Sequence, residues 1–360
     1  MSLNFLEVCL SPDLGGLELC VIDYFHFFKS KTSCKIVVSS GSKLEKSLEN
    51  EDKFLLKRGK LFSFFQALKL ARYIDANAID VIHFHWTKDI KIVVLAKLLS
   101  KTKPKLVQSR HMNMTRFKDD FYHKYLYKNI DVIHAVTQQV KEQLKRFIPQ
   151  DIRPKLKMIY LGVKEPKLDI KKIQNLKDKY KIKDEFVVGI IGRIEEAKGQ
   201  YLLIEALPRL KNLNIKVLIV GHTMDEAYLA KLKKIVNDLS LGNRVVFTGF
   251  TKDINEHIKL FDISVLATKK ETFGLVVIES MINKVPVIAT NKGGPLEIIQ
   301  ENESGVFFDR TVDDLAKKIK LLYEDKEFLD RLSDNGYERV KKVFNKDIQI
   351  QKMYKALNEG

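Results

Sequence analysis

The sequence predicts an α/β protein of two domains, each a parallel sheet covered by helices on both faces. Short, strongly apolar strand candidates alternate with helix-length segments along most of the chain, the pattern of strands buried on both sides. The alternation comes as two series, separated by the polar, proline-bearing stretch QDIRPKLKMIYLGVKEPK from Gln150 to Lys167. A length of 360 residues is enough for two ordinary domains, each with its own core.

NFLEVCLS (Asn4 to Ser11) reads as the first strand, followed by PDLGGLEL and an apolar helix through VIDYFHFF. Gly15-Gly16 makes a tight loop with exposed amides, either an unliganded turn or a resting place for a diphosphate or sugar. The spacing is not G-x-G-x-x-G, so the ordinary dinucleotide fingerprint is missing. CKIVVSS (Cys34 to Ser40), DVIHFHW (Asp80 to Trp86), KLVQSRH (Lys105 to His111) and DVIHAVT (Asp131 to Thr137) are further strands. Ligands of such sheets bind at the carboxyl ends of strands, where His85, His111 and Thr137 lie. His111 closes its strand ahead of a polar loop. His83 and His134, inside strands, read as hydrogen-bonded core residues, and no His/Cys/Asp group has metal-ligand spacing. In RFKDDFYHKYLYK, Phe117, Phe121 and Tyr125 share one helical face among basic residues, packing either on their own domain's core or on an apolar surface such as a membrane.

A short strand (Lys157 to Leu161) and a Lys-rich helix to about Lys183 lead into the second series: FVVGIIG, KVLIVG, RVVFTGF, DISVLA and VPVIAT. The first of these strands ends in GRIEEAKGQYLLIEAL, which sets Arg193 and Lys198 in a loop entering a helix. Two cations there form a diphosphate site, or a surface ion pair with Glu195 or Glu196. ETFGLVVIE (Glu271 to Glu279) joins the strands DISVLA and VPVIAT through a helix that begins near Thr272 to Leu275. Its free N–H groups favour a phosphate or another anion, and Gly274 allows close approach. Glu279 lies on a helix that is apolar on most sides, so its carboxylate needs a partner: a protein Arg, backbone amides, or a ligand hydroxyl. NKGGPLEII (Asn291 to Ile298) is another Gly-Gly turn after a strand, presenting amides with or without a ligand. The tail from Thr311 is helical. The expected domains are residues 1–163 and 164–342, with a final helix at about 343–360 packing back on the first.

The formal net charge is +17, of which the chain through Glu165 carries +12. Between Lys88 and Lys128 there are 11 basic and 3 acidic residues. Such a patch suits an anionic membrane face or nucleic acid, or serves solubility alone. No apolar run reaches the roughly 18 residues of a spanning helix, and the start lacks a secretion signal. With three cysteines in no ligand spacing, a cytoplasmic protein is expected, docked peripherally on the inner membrane face.

In order along the chain, GGLE, the strand ending in His111, GRIEEAKG, GFTKDI, the E-x7-E spacing of ETFGLVVIE, and GGPLEII resemble the retaining glycosyltransferases of family four. The resemblance covers essentially the whole chain and is most specific in the second half. It implies the GT-B fold, two Rossmann-like domains with parallel sheets facing a central cleft. It also implies that Arg193 and Lys198 hold the diphosphate of a nucleotide sugar and that Glu271 lies by the donor sugar hydroxyls. The amides of Phe273, Gly274 and Leu275 would meet phosphate or sugar, and Glu279 the ribose. Gly16 would close over the diphosphate, and His111 would sit beside the reacting sugar, with His111 and Glu271 as the catalytic pair.

The expected activity is metal-independent, retaining transfer to a saccharide or glycolipid hydroxyl in bacterial surface polysaccharide or lipopolysaccharide synthesis, with no cofactor beyond the co-substrate. The chain has no Asp-x-Asp, the usual metal-diphosphate ligand pair of the other large glycosyltransferase fold. It departs from the pattern at His222-Thr223-Met224 and at Lys270. A nucleotide-sugar epimerase of the same fold and a basic nucleic-acid-binding protein are the rival readings; RNA- and DNA-binding signatures are absent.

Overall fold

Valine, isoleucine and leucine dominate the strand segments because each fully buried aliphatic side chain contributes about 1.5–3 kcal/mol and β-branching suits the pleat. The computed structural model describes residues 3–57 and 63–359. It divides into two compact units, one comprising the chain up to Leu161 together with the segment from Ile348 onward, the other Gly162–Asp347.

In the first unit the strands are β1 (Phe5–Cys9), β2 (Cys34–Ser39), β3 (Phe54–Leu56), β4 (Val81–Phe84), β5 (Lys105–Arg110), β6 (Val132–Ala135) and β7 (Lys155–Met158). They form one sheet in the order β3-β2-β1-β4-β5-β6-β7, and every pairing is parallel. Residues of β1, β4 and β6 are buried throughout, as strands covered on both faces must be. The last helix, Lys346–Asn358, packs Tyr354 against Phe5 and Phe28, ring centroids 5.8 Å away in each case.

In the second unit β8 (Phe186–Ile191), β9 (Ile215–Val220), β10 (Val245–Gly249), β11 (Ile263–Leu266), β12 (Val287–Thr290) and β13 (Val306–Phe308) are ordered β10-β9-β8-β11-β12-β13, again all parallel. Both orders reverse direction once, between β1 and β4 and between β8 and β11, which opens a crevice at the carboxyl ends of those strands. The residues entering and leaving the second unit lie side by side: Val163 N–H donates to Phe344 O at 2.9 Å and Lys346 N–H to Val163 O at 3.0 Å.

β3 and β13 are edge strands of three residues, too short to give a pattern signal in the sequence. β7 begins two residues before the expected Lys157, β5 stops at Arg110 so that His111 is the first loop residue, and the helix after β11 starts at Leu275.

Candidate functional site

The crevice at the β8/β11 switch is built by three loops locked together through their backbones. After β8, Ile194 is buried and accepts from Met224 N–H at 3.3 Å, while its own N–H donates to His222 O at 2.9 Å. The unusual His222-Thr223-Met224 segment therefore supports this loop through main-chain atoms, which any side chains there would allow. Gly199 adopts φ +75°, and a Cβ on it would lie 2.5 Å from Ala267 O. With the Lys269 N–H to Ala197 O bond of 2.9 Å, this pins the Lys198 loop onto the loop after β11. Lys198 Nζ then meets Glu271 Oε2 at 3.2 Å, both side chains partly exposed. Arg193 is half exposed and pairs with Glu195 at 2.9 Å. Such a surface pair contributes at most about 1 kcal/mol, so an incoming anion displaces it at little cost.

Glu271 to Leu275 lead into the helix Leu275–Ile282 through Gly274 at φ +103°. Phe273 is buried and sets its ring 6.0 Å from that of Phe344. The first turn of the helix leaves N–H groups without intrahelical acceptors. The NKGG turn acts differently from the expectation that it presents amides. Gly294 N–H is used on Glu271 O at 3.0 Å, a Cβ on Gly293 (φ +77°) would lie 2.2 Å from Glu271 O, and one on Gly294 would lie 2.2 Å from Phe273 O. The two glycines let this turn clasp the Glu271–Phe273 backbone.

Glu279, on the same helix, is half-buried. Neither an arginine nor a backbone amide among the described residues hydrogen-bonds its carboxylate. Burial pushes its pKa up to about 7, with Lys346 nearby opposing the shift.

In the first unit, Gly16 begins the helix Gly16–Lys29, and the buried Glu18 caps it by accepting Gly15 N–H at 2.8 Å. Thr137 is a helix cap, its Oγ1 accepting Val140 N–H at 3.2 Å. His111 is half-buried, and its loop is tied down by the buried Arg110, which donates to Met112 O (2.8 Å), Asn113 O (3.0 Å) and Thr87 Oγ1 (3.0 Å).

Behind His111 runs a buried polar chain that the sequence did not reveal. His111 Nε2 is 3.2 Å from His85 Nδ1, and His85 Nε2 is 2.7 Å from Glu7 Oε2. Glu7 Oε1 is 2.8 Å from His83 Nδ1, and His83 Nε2 is 2.7 Å from Ser109 Oγ. The β1/β4 register sets Glu7 opposite His83, and the i, i+2 alternation brings His85 to the same face. A lone Glu in an otherwise apolar strand was the available signal. Glu7, His83 and His85 bring three ligand-type atoms within 4.8 Å of one another. A zinc ion shared between them would hold each N···O separation at about 3.3 Å. The observed 2.7 and 2.8 Å are hydrogen-bond lengths, so the trio does not fit a metal centre.

The expected helical face forms only in part: the helix is Phe121–Lys128, so Phe117 lies in the loop before it, its ring 5.2 Å from that of Phe147. Phe117, Phe121, Tyr122 and Tyr125 are exposed, Phe121 at 88%, while Leu126 and Tyr127 are the buried residues. Arg116, Lys124 and Lys128 are exposed around them. Among the described residues no helix is long and apolar enough to cross a membrane.

Residues 172–339 match the family described as glycosyl transferases group 1, and residues 7–138 the family described as glycosyl transferase 4-like. The capsular polysaccharide biosynthesis glycosyltransferase CapM of Staphylococcus aureus is 25% identical over 348 residues, 91% of each chain. The lipopolysaccharide core biosynthesis glycosyltransferase LpsE of Rhizobium meliloti is 30% identical over 165 residues, a match that spans 47% of that protein. Among solved structures, Anabaena HepE in complex with UDP and glucose superimposes with a TM-score of 0.87 at 21% identity, covering 99% of this chain and 100% of that one. A glycosyltransferase from Rickettsia africae gives 0.87 at 23% identity, covering 99% and 98%. With one model on each series of strands, in chain order, the chain is similar to the group 1 and 4-like glycosyltransferases, and it has the GT-B fold.

Proposed function

We propose that this protein is a retaining glycosyltransferase that moves a sugar from a nucleoside diphosphate to a hydroxyl of a saccharide or glycolipid during surface polysaccharide synthesis. The observation that carries the reading is Glu279: a half-buried carboxylate without a hydrogen-bond partner among the described residues, on the helix whose first turn adjoins the Lys198–Glu271 pair. A nucleotide sugar satisfies all of these groups together. Its ribose hydroxyls donate to Glu279, its diphosphate takes the Arg193 and Lys198 charges, and the amides of Phe273, Gly274 and Leu275 meet phosphate or sugar. Glu271 receives sugar hydroxyls, and the same reading assigns Gly16 to the diphosphate and His111 to the sugar.

The bond from the anomeric carbon to the phosphate oxygen breaks and the bond to the acceptor oxygen forms on the same face. The acceptor's proton passes to the departing phosphate. Charge grows on the diphosphate, where fixed cations and helix N–H groups stabilise it, the role a divalent metal takes elsewhere. UDP-, GDP- and ADP-sugars are to be screened for thermal stabilisation, then for slow hydrolysis and transfer. Stabilisation by one class and transfer to a saccharide are expected. Interconversion of the donor without an acceptor would reassign the chain as an epimerase, and steep salt-dependent nucleic-acid binding without donor binding would overturn the enzyme reading.

Glu279 gives the binding step a pH signature. Only the ionised carboxylate accepts two ribose hydroxyls, so donor affinity is expected to rise with pH through about 7 and to fall roughly tenfold per unit well below it. In the free chain the sign is opposite. A folded-state pKa above the usual 4.5 means this group's ionisation opposes folding, so its contribution falls as pH rises from about 4.5 through 7. Glu279→Gln should therefore raise Tm at pH 8 more than at pH 5 while flattening the affinity profile; an unchanged profile removes the ribose assignment.

The exposed aromatics among basic side chains support docking on an anionic membrane face. Vesicles containing phosphatidylglycerol should retain the protein at low salt and release it at high salt. Phe117→Ser with Phe121→Ser should lower retention about tenfold or more. Equal retention by the double variant would remove this helix from the docking surface.

A further inference from the structure

The polar chain behind His111 has an end that settles every proton along it. Ile159 O is a backbone carbonyl, which accepts only, and His134 Nε2 lies 2.6 Å from it. His134 Nε2 therefore carries the proton, and in the neutral ring Nδ1 is bare. Ser109 Oγ, 2.7 Å from that Nδ1, must donate to it, which leaves its oxygen as the acceptor of His83 Nε2–H at 2.7 Å. Neutral His83 then turns a bare Nδ1 toward Glu7 Oε1 at 2.8 Å. Two acceptors cannot share that contact, so Glu7 holds a proton on Oε1 and donates it. Glu7 Oε2 is left as a carbonyl-type acceptor for His85 Nε2–H at 2.7 Å, and the bare His85 Nδ1 accepts from His111 Nε2–H at 3.2 Å. His111 Nδ1 emerges without a proton and without a partner among the described residues.

The alternative, a Glu7 carboxylate with a charged ring, fails on burial. Glu7, His83, His85 and His134 are all essentially inaccessible, and Tyr24 covers the pair with its ring 5.3 Å from that of His83 and 5.6 Å from that of His85. Burial pushes the Glu7 carboxyl above its ordinary range and holds His83, His85, His111 and His134 down at about 3, which favours the neutral form at every position.

We propose that Glu7, as the neutral acid, is a positioning residue for sugar transfer, which through His85 holds His111 in the tautomer whose Nδ1 accepts a hydroxyl hydrogen of the bound sugar. The inference rests on the transferase reading above and sharpens the role of His111. The ring reads a hydroxyl as an acceptor and does not donate to a ligand oxygen; it is too weak a base to take the acceptor's proton, in keeping with the departing phosphate as the base.

The test begins on the ligand-free full chain labelled with 15N-histidine, with the His111 signals assigned by their loss in His111→Asn. Nε2 protonated and Nδ1 bare are expected between pH 6 and 8, together with an infrared carboxylic-acid carbonyl band that disappears in Glu7→Gln. A protonated His111 Nδ1, or no acid band at neutral pH, overturns the proposal without any assay. The variants supply the catalytic arm. A glutamine carries a donor and an acceptor where the neutral acid does, so Glu7→Gln should keep the tautomer and hold kcat within about threefold of wild type. Glu7→Met takes away the acceptor of His85 Nε2–H, so His85 turns its proton to Nδ1 and His111 to the Nδ1-protonated tautomer; kcat should fall by about 100-fold, more than donor affinity does. Equal losses in both variants would show a charged Glu7 and sink the idea. The expected tautomer in a chain inactive toward every donor would instead count against the transferase reading.

Discussion

Lys198→Ala is expected to lower kcat by about 10²–10³ while leaving the fold intact. The ammonium is held where pyrophosphate charge is to appear: its loop is fixed by Gly199 at φ +75° and by the Lys269 to Ala197 bond of 2.9 Å, and its Nζ waits on Glu271 at 3.2 Å. A preorganised charge acts mainly on the state in which charge has developed, so the loss should fall on kcat more than on KM. Removing the ammonium also leaves Glu271 beside the incoming diphosphate without its counter-ion, and the two negative charges then repel. The stability cost is small because both partners retain some solvent contact, 24% and 19% of their side-chain surface. Lys198→Arg should restore part of the rate, since the charge returns but the longer planar fork cannot occupy the same point. Turnover close to wild type in Lys198→Ala would remove the diphosphate assignment, and a collapse of Tm would show that the lysine serves the fold instead.

The architecture was legible because parallel strands buried on both faces advertise themselves as continuous apolar runs, and four-to-six-residue runs such as Ile215–Val220 are long enough to stand out. The three-residue edge strands were not. The placing of Lys198 and Glu271 in loops after strands, and of Glu279 on the helix that follows, was equally legible, because each helix entry is a local property of the chain. What the sequence hid is non-local. Glu7 meets His85 across 78 residues, and only the pairing of β1 with β4 brings them together. The turn at Gly293-Gly294 misled for a related reason: an exposed amide and an amide spent on a neighbouring carbonyl look the same until the neighbour is known. The helical face of Phe117, Phe121 and Tyr125 holds only for Phe121 and Tyr125: the helix starts after the Asp120 cap and leaves Phe117 in the preceding loop, and periodicity alone does not show where a helix begins or what covers its face.

The neighbour of that turn supplies a test of how tightly the second-unit loops must fit. Gly294 sits at φ −54°, ψ −38°, a conformation any residue adopts, so Gly294→Ala introduces a steric change with no dihedral penalty. The new Cβ would be 2.2 Å from Phe273 O and 2.4 Å from Phe273 Cα, backbone atoms that cannot rotate away. Relief requires the two loops to part by about 1 Å, and the segment that moves carries Glu271 and the amides of Phe273, Gly274 and Leu275. A displacement of that size is expected to reduce kcat/KM by about 100-fold or more and to destabilise the fold by about 1–3 kcal/mol. Gly293→Ala should be worse, because a contact of 2.2 Å with Glu271 O is added to a left-handed φ of +77°. Gly242→Ala is the control: a Cβ there meets nothing within 4 Å, so neither rate nor Tm should fall. Measured together, the variants separate two causes of lost activity. Lys198→Ala removes charge at constant Tm, and Gly294→Ala loses rate and Tm together. Wild-type turnover in Gly294→Ala would mean that the clasped backbone is not what holds the donor in place.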